Sequence, residues 1–460
     1  MNINKKTIVF LVASSMLGII LNLFVGFFLP LVVDYSNYSI YKTFTLYIGF
    51  IPLIHLGICD GVLINYRKKT LEELKKINFK KSIIMFSVVQ IGLGLGLFLL
   101  LFNYIDQVFL MILLAIPFVN ISTYLKQIVI LIDKFKVVSF LSIINKVILL
   151  LSILLLFVTG NDTYLILVFA SLITYLIQSI ISIILIRKSL FDSSVNTLEN
   201  ISLKKAIIVG APTLLSYIVA TFLLGVDRIF VERFHTEYEY AIFSFSYSLI
   251  TIILTVMDSL NVVIFSSMFK DEGDQKIKIF NNIGTFISFI FSICAIFAIL
   301  IIPLINIVIP KYNDSIPIFL ILLPIVFLKV NYTSRYWPYL NSVNKQNKIL
   351  LSNLVVLIIS ILLNISVFIF NGSLIWYAIM TVITLVVLNI ILGLIVNVDN
   401  NKLKALPSFS FLLLILVYII TYQFLNVYTY AFLVLFCSVR IYIDLRKNII
   451  PLFLQWKNKV

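Results

Sequence analysis

Long, unbroken apolar segments alternate along the chain with short polar connections. Each segment is about 20 residues long, the length that an α-helix needs to cross the hydrocarbon core of a membrane. The segments lack the alternating polarity that is typical of strands in a transmembrane barrel. The pattern predicts about fourteen spanning helices, at 7–33, 41–65, 82–102, 107–131, 137–158, 163–186, 205–226, 238–264, 279–303, 316–340, 349–370, 373–396, 408–426 and 428–443.

Composition supports a membrane protein. Hydrophobic residues make up 61% of the 460 positions and charged residues 12%, whereas about a quarter of the residues in ordinary globular domains are charged. A soluble protein of this length could not cover so much apolar surface with polar side chains. Because lipid offers no partner for backbone polar groups, helices are the remaining solution once a barrel is excluded. The sequence therefore predicts an all-α polytopic membrane protein.

The net charge of +15 is distributed unevenly among the connections. The connections at 66–81 and 187–204 are rich in Lys and Arg. The alternate connections are nearly uncharged, and four of them, near Asn103, Gly160, Asn371 and Asn426, contain no Lys or Arg at all. Because basic connections stay in the cytoplasm, this asymmetry predicts that both termini are cytoplasmic and that the basic side meets anionic lipid. It also explains the charge without a nucleic-acid partner.

A faint internal repeat divides the chain. The segment that begins at Val119 matches the segment that begins at Val330 at a constant offset of 211 residues, with Asn120 facing Asn331. Chance similarity among apolar helices is the competing explanation. Since each half contains six spans, both halves start on the same side, and the repeat is parallel. The predicted domains are a six-helix lobe at 1–188, a second at 203–397, and an extra hairpin, spans thirteen and fourteen, at 406–445.

Motifs for catalysis are missing from the sequence. It has no phosphate-binding G-x-x-x-x-G-K-[ST] loop, and only two histidines and three widely spaced cysteines, so we expect neither a metal site nor a bound cofactor. The longest outer connection, 226–240, is too short to carry a catalytic domain. We therefore expect a protein that is not an enzyme.

Several cations lie within predicted spans. A charged side chain near the bilayer centre costs about 2.5–3.5 kcal/mol on insertion scales, so it usually faces a cavity or a partner. Lys146 and Lys329 lie near the centre of their spans, where lining a cleft competes with a structural pair. Lys126 and Arg335 lie nearer the span ends, where their side chains could also extend to the interface.

Acidic residues occupy other spans. Asp60 and Asp258 match approximately in the repeat, and either could pair with a lysine or bind a proton or cation. His55 precedes Asp60 on the same predicted helix and could titrate, although a buried, satisfied histidine is the more common outcome. Asp227 and Arg228 close the seventh span, as a solvated ion-pair cluster or as an outer gate. The excess of positive charge suits an anionic passenger.

Four segments carry a resemblance to a known family: GVDRIFVERFHTEYEYAIFSFSYSL, VDYSNYSIYKTFTLYIGFIPLIHLGICDGVLINY, VIPKYNDSIPIFLIL and VNKQNKILLSNLVVLIISILLNI. Over residues 1–400 the chain resembles the Wzx-type polysaccharide flippases of the multidrug/oligosaccharidyl-lipid/polysaccharide (MOP) exporter superfamily. The resemblance implies two six-helix lobes that alternate between inward and outward openings. It implies movement of undecaprenyl-diphosphate-linked oligosaccharide repeat units to the outer leaflet of the bacterial cytoplasmic membrane, for O-antigen, capsule or exopolysaccharide.

The resemblance also implies roles for particular residues. Lys146, Lys329, Lys126 and Arg335 become candidates for the lipid head group. Asp60 and Asp258 become candidates for coupling to a proton or sodium gradient, while His55 as a coupling or pairing residue and Asp227 with Arg228 as the outer gate stay expectations from the sequence alone. The implied partners are the lipid-linked oligosaccharide, membrane lipids, and the polymerase and glycosyltransferases of the same pathway.

Two alternatives accompany this reading. A multidrug cation antiporter of the same superfamily would require a cleft dominated by carboxylates, which the lysines disfavour. A membrane polysaccharide polymerase is disfavoured by the short outer connections. Peptidoglycan-precursor flippases tend to carry arginine in the first span, where this chain has only the polar residues Ser14, Ser15 and Asn22.

Overall fold

A computed structural model describes residues 5–67, 69–191, 199–270, 273–343 and 345–399. Within these ranges the secondary structure is helical, apart from one isolated β-bridge. Nine described helices are long and apolar enough to cross a membrane, and one bent helix pair adds a tenth span. The predicted all-α polytopic fold is thus confirmed. The predicted hairpin at 406–445 lies outside the described residues.

The first compact unit extends to Thr221. Its helices, with the start of α9, are α1 (Lys5–Val32), α2 (Tyr35–Ile48), a 3-10 helix (Ile51–His55), α3 (Ile58–Tyr66), α4 (Leu71–Lys75), α5 (Phe79–Leu101), α6 (Gln107–Leu131), α7 (Phe135–Thr159), α8 (Tyr164–Leu190) and α9 (Leu203–Leu223). Helix α6 is the centre of this unit, because it contacts α2, α3, α5, α7 and α8.

The second compact unit begins at Phe222. Its helices are α10 (Val226–Phe234), α11 (Glu237–Lys270), α12 (Gly273–Val308), a 3-10 helix (Pro310–Tyr312), α13 (Ser315–Leu322), α14 (Pro324–Asn331), a π-helical turn (Tyr332–Tyr336), α15 (Trp337–Ser342), α16 (Gln346–Ile369) and α17 (Leu374–Asp399). The run from α13 to α15 contacts α11, α12 and α17, and is largely buried. The division of the chain into the two predicted lobes and the hairpin stays a prediction.

The second predicted span, 41–65, is not one continuous helix. Helix α2 ends at Ile48, and α3 leaves at an angle of 60° after the intervening 3-10 helix. Pro52 lacks the N–H that a continuing α-helix would use, and Leu56 and Gly57 adopt positive φ angles of 51° and 83°. The backbone N–H of Gly57 donates to Nδ1 of His55 at 3.2 Å, which satisfies a group freed by the break. The predicted span at 41–65 is therefore bent at this break.

Buried polar side chains join the helices of the first unit. The amide of Asn120 in α6 donates to Oε1 of Gln90 in α5 at 2.7 Å. Ser122 donates to Gln178 of α8 at 3.1 Å, and Gln178 donates to the carbonyl of Leu141 in α7 at 3.1 Å. Such hydrogen bonds hold helices together where lipid provides no hydrophobic driving force.

The second unit uses a comparable interior. Asn331, the repeat partner of Asn120, donates to Oδ1 of Asn389 in α17 at 2.9 Å. The same offset of 211 residues carries Phe135, at the start of α7, onto Gln346, at the start of α16. These two helix starts therefore agree with the offset of the internal repeat.

Two polar connections of the first unit meet in a clasp formed by Lys69, Lys76–Asn78 and Glu199. Asn78 N–H donates to the Glu199 carbonyl at 2.9 Å, and Glu199 N–H donates to the Lys76 carbonyl at 2.8 Å. The ammonium of Lys69 lies 3.3 Å from the Glu199 carboxylate. The clasp ties the segment that leads into α9 to the connection between α3 and α5.

Candidate functional site

Lys146 places a cation in the middle of a spanning helix. It is the twelfth of 25 residues in α7, roughly 17–20 Å from either end at 1.5 Å per residue. Its side chain is half-buried, and its Nζ donates to the carbonyl of Gly18 in α1 at 3.0 Å. An ammonium has three N–H donors, and the other two have no partner among the residues that the structure describes. Those donors can bind an anionic oxygen.

The contact partner of Lys146 lies on a small and polar face of α1. Ser14, Gly18 and Asn22 follow one another at intervals of four residues, so they share one face of the helix. Ser14 and Gly18 are buried, and Asn22 is half-buried. The first span contains no cation of its own, yet this face receives the ammonium of Lys146 from α7.

Lys126 is a second cation of the first unit. It is half-buried in α6, five residues before the helix ends at Leu131. No hydrogen bond or ion pair joins it to another residue in the part of the chain that the structure describes. The neighbouring Gln127 has a buried Oε1 without a hydrogen-bond partner. This position therefore also keeps polar groups available, and its use in a cleft or at the interface stays a prediction.

Asp60 and His55 flank the break in the second span. Asp60 is half-buried in the first turn of α3, where the helix dipole favours a negative charge. Its carboxylate has no hydrogen bond or ion pair to another described residue. His55 is buried and ends the preceding 3-10 helix. The prediction that His55 and Asp60 lie on the same helix was therefore wrong. Asp258 lies in α11, and its side chain is outside the part of the structure that is described.

A close crossing of α3 and α9 positions Asp60. A Cβ atom on Gly61 would overlap the carbonyl of Ala206, and one on Gly210 would overlap the backbone of Gly57. Only glycine allows helices to approach so closely. This crossing was not predicted from the sequence, although G-x-x-x-G at 57–61 and the Ala206–Gly210 spacing are recognisable signals of it.

Asp227 is buried in the second unit, at 1% exposure. Tyr247 Oη and Thr381 Oγ1 both donate to its Oδ2, the latter at 2.7 Å, so the carboxylate joins α10, α11 and α17. The Arg228 guanidinium lies 4.7 Å from the centre of the Tyr247 ring and donates to the Leu224 carbonyl at 2.8 Å. The interpretation as a solvated cluster is therefore wrong for Asp227, and the gate role stays a prediction.

Arg335 and Lys329 are the cations of the central run in the second unit. Arg335, in the π-helical turn, is 5% exposed. Its Nε donates to the Phe280 carbonyl at 3.2 Å, its Nη1 donates to Oδ1 of Asn331 at 3.5 Å, and its guanidinium lies 4.3 Å from the Phe280 ring centre. Arg335 therefore does not extend to the interface. Lys329 is half-buried in α14 and has a neighbour with which it interacts.

The four predicted head-group cations thus divide between the units, with Lys126 and Lys146 in the first and Lys329 and Arg335 in the second. Among the described residues no three His, Cys, Asp or Glu side chains are grouped to hold a metal ion.

Known proteins are similar to this chain in structure, and no match is found from the sequence. No known protein family matches the sequence, and no curated protein matches it. The structure is similar to the lipid II flippase MurJ in an inward closed conformation, with a TM-score of 0.67 and 16% identity, covering 95% of this chain and 100% of that one. It is also similar to an outward-facing multidrug resistance MATE transporter of the MOP superfamily, with a TM-score of 0.58 and 15% identity over 86% and 96% of the two chains.

A third similar structure is a MOP superfamily transporter from Pyrococcus furiosus, described as having a binding pocket of reverse polarity. Its TM-score is 0.57 at 14% identity, over 85% of this chain and 96% of that one. The chain therefore has the fold of the MOP superfamily transporters.

Proposed function

We propose that the protein is a flippase. It moves undecaprenyl-diphosphate-linked oligosaccharide repeat units from the inner to the outer leaflet of the bacterial cytoplasmic membrane by alternating access. The observation that carries this proposal is Lys146, a half-buried cation in the middle of a spanning helix with two donors that no described residue uses. The fold shared with a lipid II flippase supports it.

The chemistry of such a substrate matches the first unit. A lipid-linked diphosphate is an anion that must leave water to cross the membrane, and the cost falls when fixed cations replace its hydration. Lys146 supplies a compact ammonium at mid-helix, and Lys126 supplies a second one toward the helix end. Carboxamides such as that of Gln127 can accept hydrogen bonds from sugar hydroxyls. The polyprenyl tail remains in lipid throughout.

Energy coupling is assigned to Asp60. Its carboxylate is half-buried and has no hydrogen bond or ion pair to another described residue, so it is available for a proton or a sodium ion. Movement of the substrate needs no covalent chemistry and no cofactor. The protein therefore acts as a transporter, alongside the glycosyltransferases and the polymerase that make and consume its substrate.

A multidrug cation antiporter is the second candidate, because MATE transporters share the fold and Asp60 could attract a cation. The charge of the first unit argues against it. Lys126 and Lys146 both keep donors without described partners, and two cations oppose the binding of a cationic drug.

A deletion strain tests the proposal. We expect loss of surface polysaccharide and accumulation of single lipid-linked repeat units on the inner leaflet. Wild type should restore the polymer, Lys146→Ala should not, and Lys80→Ala, an exposed lysine at the start of α5, should restore it at matched expression.

Two other results would contradict the proposal. Repeat units that reach the outer leaflet without polymerising would indicate a polymerase. Unchanged polysaccharide with altered drug sensitivity would indicate the antiporter.

A further inference from the structure

The ammonium of Lys146 packs directly against Gly18, a contact that the hydropathy of the two helices does not predict. A Cβ atom on Gly18 would lie 2.8 Å from Nζ of Lys146, 3.8 Å from its Cε and 3.9 Å from its Cδ. The end of the lysine side chain therefore occupies the space where a side chain at position 18 would stand. The same ammonium donates to the carbonyl of Gly18 at 3.0 Å.

Glycine is an unfavourable residue in the interior of a helix, so its presence in α1 calls for a local reason. The glycines of α5 give a useful contrast, because a Cβ atom on Gly92 or Gly96 would meet nothing within 4 Å. At position 18 the reason is the Lys146 ammonium, which any larger residue would displace.

The environment of the ammonium indicates an anionic ligand. Lys146 has no ion pair with a described carboxylate, and one carbonyl takes one of its three donors. Buried charges are normally paired, and a cation that keeps two donors in the middle of a span lacks that compensation. A phosphate oxygen can accept both.

We propose that Gly18 is a positioning residue of an anion site. Its bare Cα and its carbonyl hold the Lys146 ammonium at the seam of α1 and α7, with two N–H donors directed to an oxygen of a lipid-linked diphosphate. The identity of the anion rests on the proposed function, whereas the position of the ammonium rests on the contacts of Gly18 alone.

Two substitutions separate position from charge. Gly18→Ala keeps the cation and moves it, because a methyl group and a nitrogen cannot stay 2.8 Å apart. Lys146→Ala removes the cation and leaves room for a methyl group at position 18. If Gly18 acts through Lys146, Gly18→Ala has an effect only when Lys146 is present, which a double-mutant cycle measures.

The experiment measures binding of undecaprenyl diphosphate to the purified full chain in lipid nanodiscs, with undecaprenol as the uncharged control lipid. We expect Lys146→Ala to weaken binding by at least about tenfold, since it removes both charge-assisted hydrogen bonds and each is worth about that factor. Gly18→Ala should weaken it by about fivefold, and the double variant should bind like Lys146→Ala. The matched control Gly96→Ala, with open space around it, should bind like wild type.

Independent losses that multiply in the double variant would overturn the proposal, as would wild-type binding by Gly18→Ala. Stability provides a second arm in case Gly18→Ala folds poorly. We then expect the double variant to regain a thermal unfolding midpoint close to that of Lys146→Ala, and failure to regain it would show that Gly18 acts without Lys146.

Pulse acetylation with acetic anhydride, read by peptide mass spectrometry, tests the position of the ammonium without any substrate. We expect the acetylation rate of Lys146 to change by at least about threefold in Gly18→Ala, since the amine loses its carbonyl partner. An unchanged rate would overturn the positioning role. If wild type does not prefer undecaprenyl diphosphate to undecaprenol, the diphosphate assignment and the proposed function fail together, while the acetylation result still decides the role of Gly18.

Discussion

Tyr124 in the first unit and Arg335 in the second occupy equivalent places in the internal repeat, 211 residues apart. Both are buried, at 1% and 5% exposure. Each lies against an aromatic ring of a neighbouring long helix: the Tyr124 and Phe86 ring centres are 4.6 Å apart, and the Arg335 guanidinium is 4.3 Å from the Phe280 ring centre. One framework thus accepts a neutral phenol in one unit and a cation in the other.

The surroundings differ in the number of polar groups that must be satisfied. Tyr124 needs one partner and shares a hydrogen bond with Ser82. Arg335 takes the Phe280 carbonyl and Asn331, and it lies over Gly284, where a Cβ atom would be 2.7 Å from the guanidinium carbon. The second unit therefore provides hydrogen-bond acceptors and space for the buried guanidinium of Arg335.

A charge within a span is therefore by itself a poor indicator of a ligand site. Arg335 is buried and bound by fixed protein groups. Lys146 is less buried but keeps two donors that no described residue uses. Unused donors, rather than depth, distinguish a cation that can bind a ligand from one that holds helices together.

The largest expected effect comes from moving the cation into the unit that lacks a place for it. Tyr124→Arg should destabilise the protein by about 4 kcal/mol, because an unpaired buried charge is left without partners. The thermal unfolding midpoint of the detergent-purified protein measures this. A midpoint equal to that of wild type would contradict the inferred difference between the units, since the first unit would then accept a cation as readily as the second.

Removing the cation from the second unit should have a smaller effect. Arg335→Leu should cost about 3 kcal/mol, because the Phe280 carbonyl and Asn331 lose a donor and the contact with Gly284 is lost. The same unfolding measurement applies, with the exposed Lys80→Ala as control. Retained stability together with lost transport would instead assign Arg335 to the substrate, the role that the family resemblance implies.

Asn120 and Asn331 are equivalent in the repeat, and substituting either one should lower the stability of the protein by a similar amount. Asn331→Leu leaves Oδ1 of Asn389 without this donor, and Asn120→Leu does the same to Oε1 of Gln90. Each should lower stability by about 2 kcal/mol, the cost of leaving one buried polar group unsatisfied. Comparing the two unfolding midpoints tests the repeat, and a loss confined to one unit would contradict an equivalent role.

The smallest effect is expected for Tyr124→Phe. It removes the hydrogen bond to Ser82 and keeps the stacking on Phe86, so it should cost about 1 kcal/mol. Ser82→Ala provides the matched control and should give a similar shift. A loss of stability as large as that of Arg335→Leu would show that the hydroxyl of Tyr124 makes further stabilising interactions.

Within the described residues the sequence predicted the positions of the spans well, because burial in lipid leaves a direct record in hydropathy. It missed the break in the second span, since 41–65 is apolar throughout and the signals, Pro52 and Gly57, do not change mean hydropathy. The depth of Lys146 was also predictable from its place in the apolar run.

Its partner Gly18 was not predictable, because that contact depends on how α1 packs on α7. Arg335 was placed near a span end, where snorkelling competes with burial, and hydropathy gives no sign of the π-helical turn that carries it. The solvated-cluster interpretation failed for Asp227 for a related reason. Its charged neighbours in sequence suggested solvent, while Tyr247 and Thr381, distant in sequence, bury it.

The clasp of the first unit has a consequence for the order of assembly during synthesis. Lys69 and Glu199 are 130 residues apart, so at 5–20 residues per second the ribosome needs on the order of ten seconds to supply the second after the first. The capping box of α4, in which Thr70 and Glu73 satisfy each other's backbone N–H groups, is local and needs no residue that is made later. The clasp, in contrast, can form only when Glu199 has emerged, after the six predicted spans that precede it have been made.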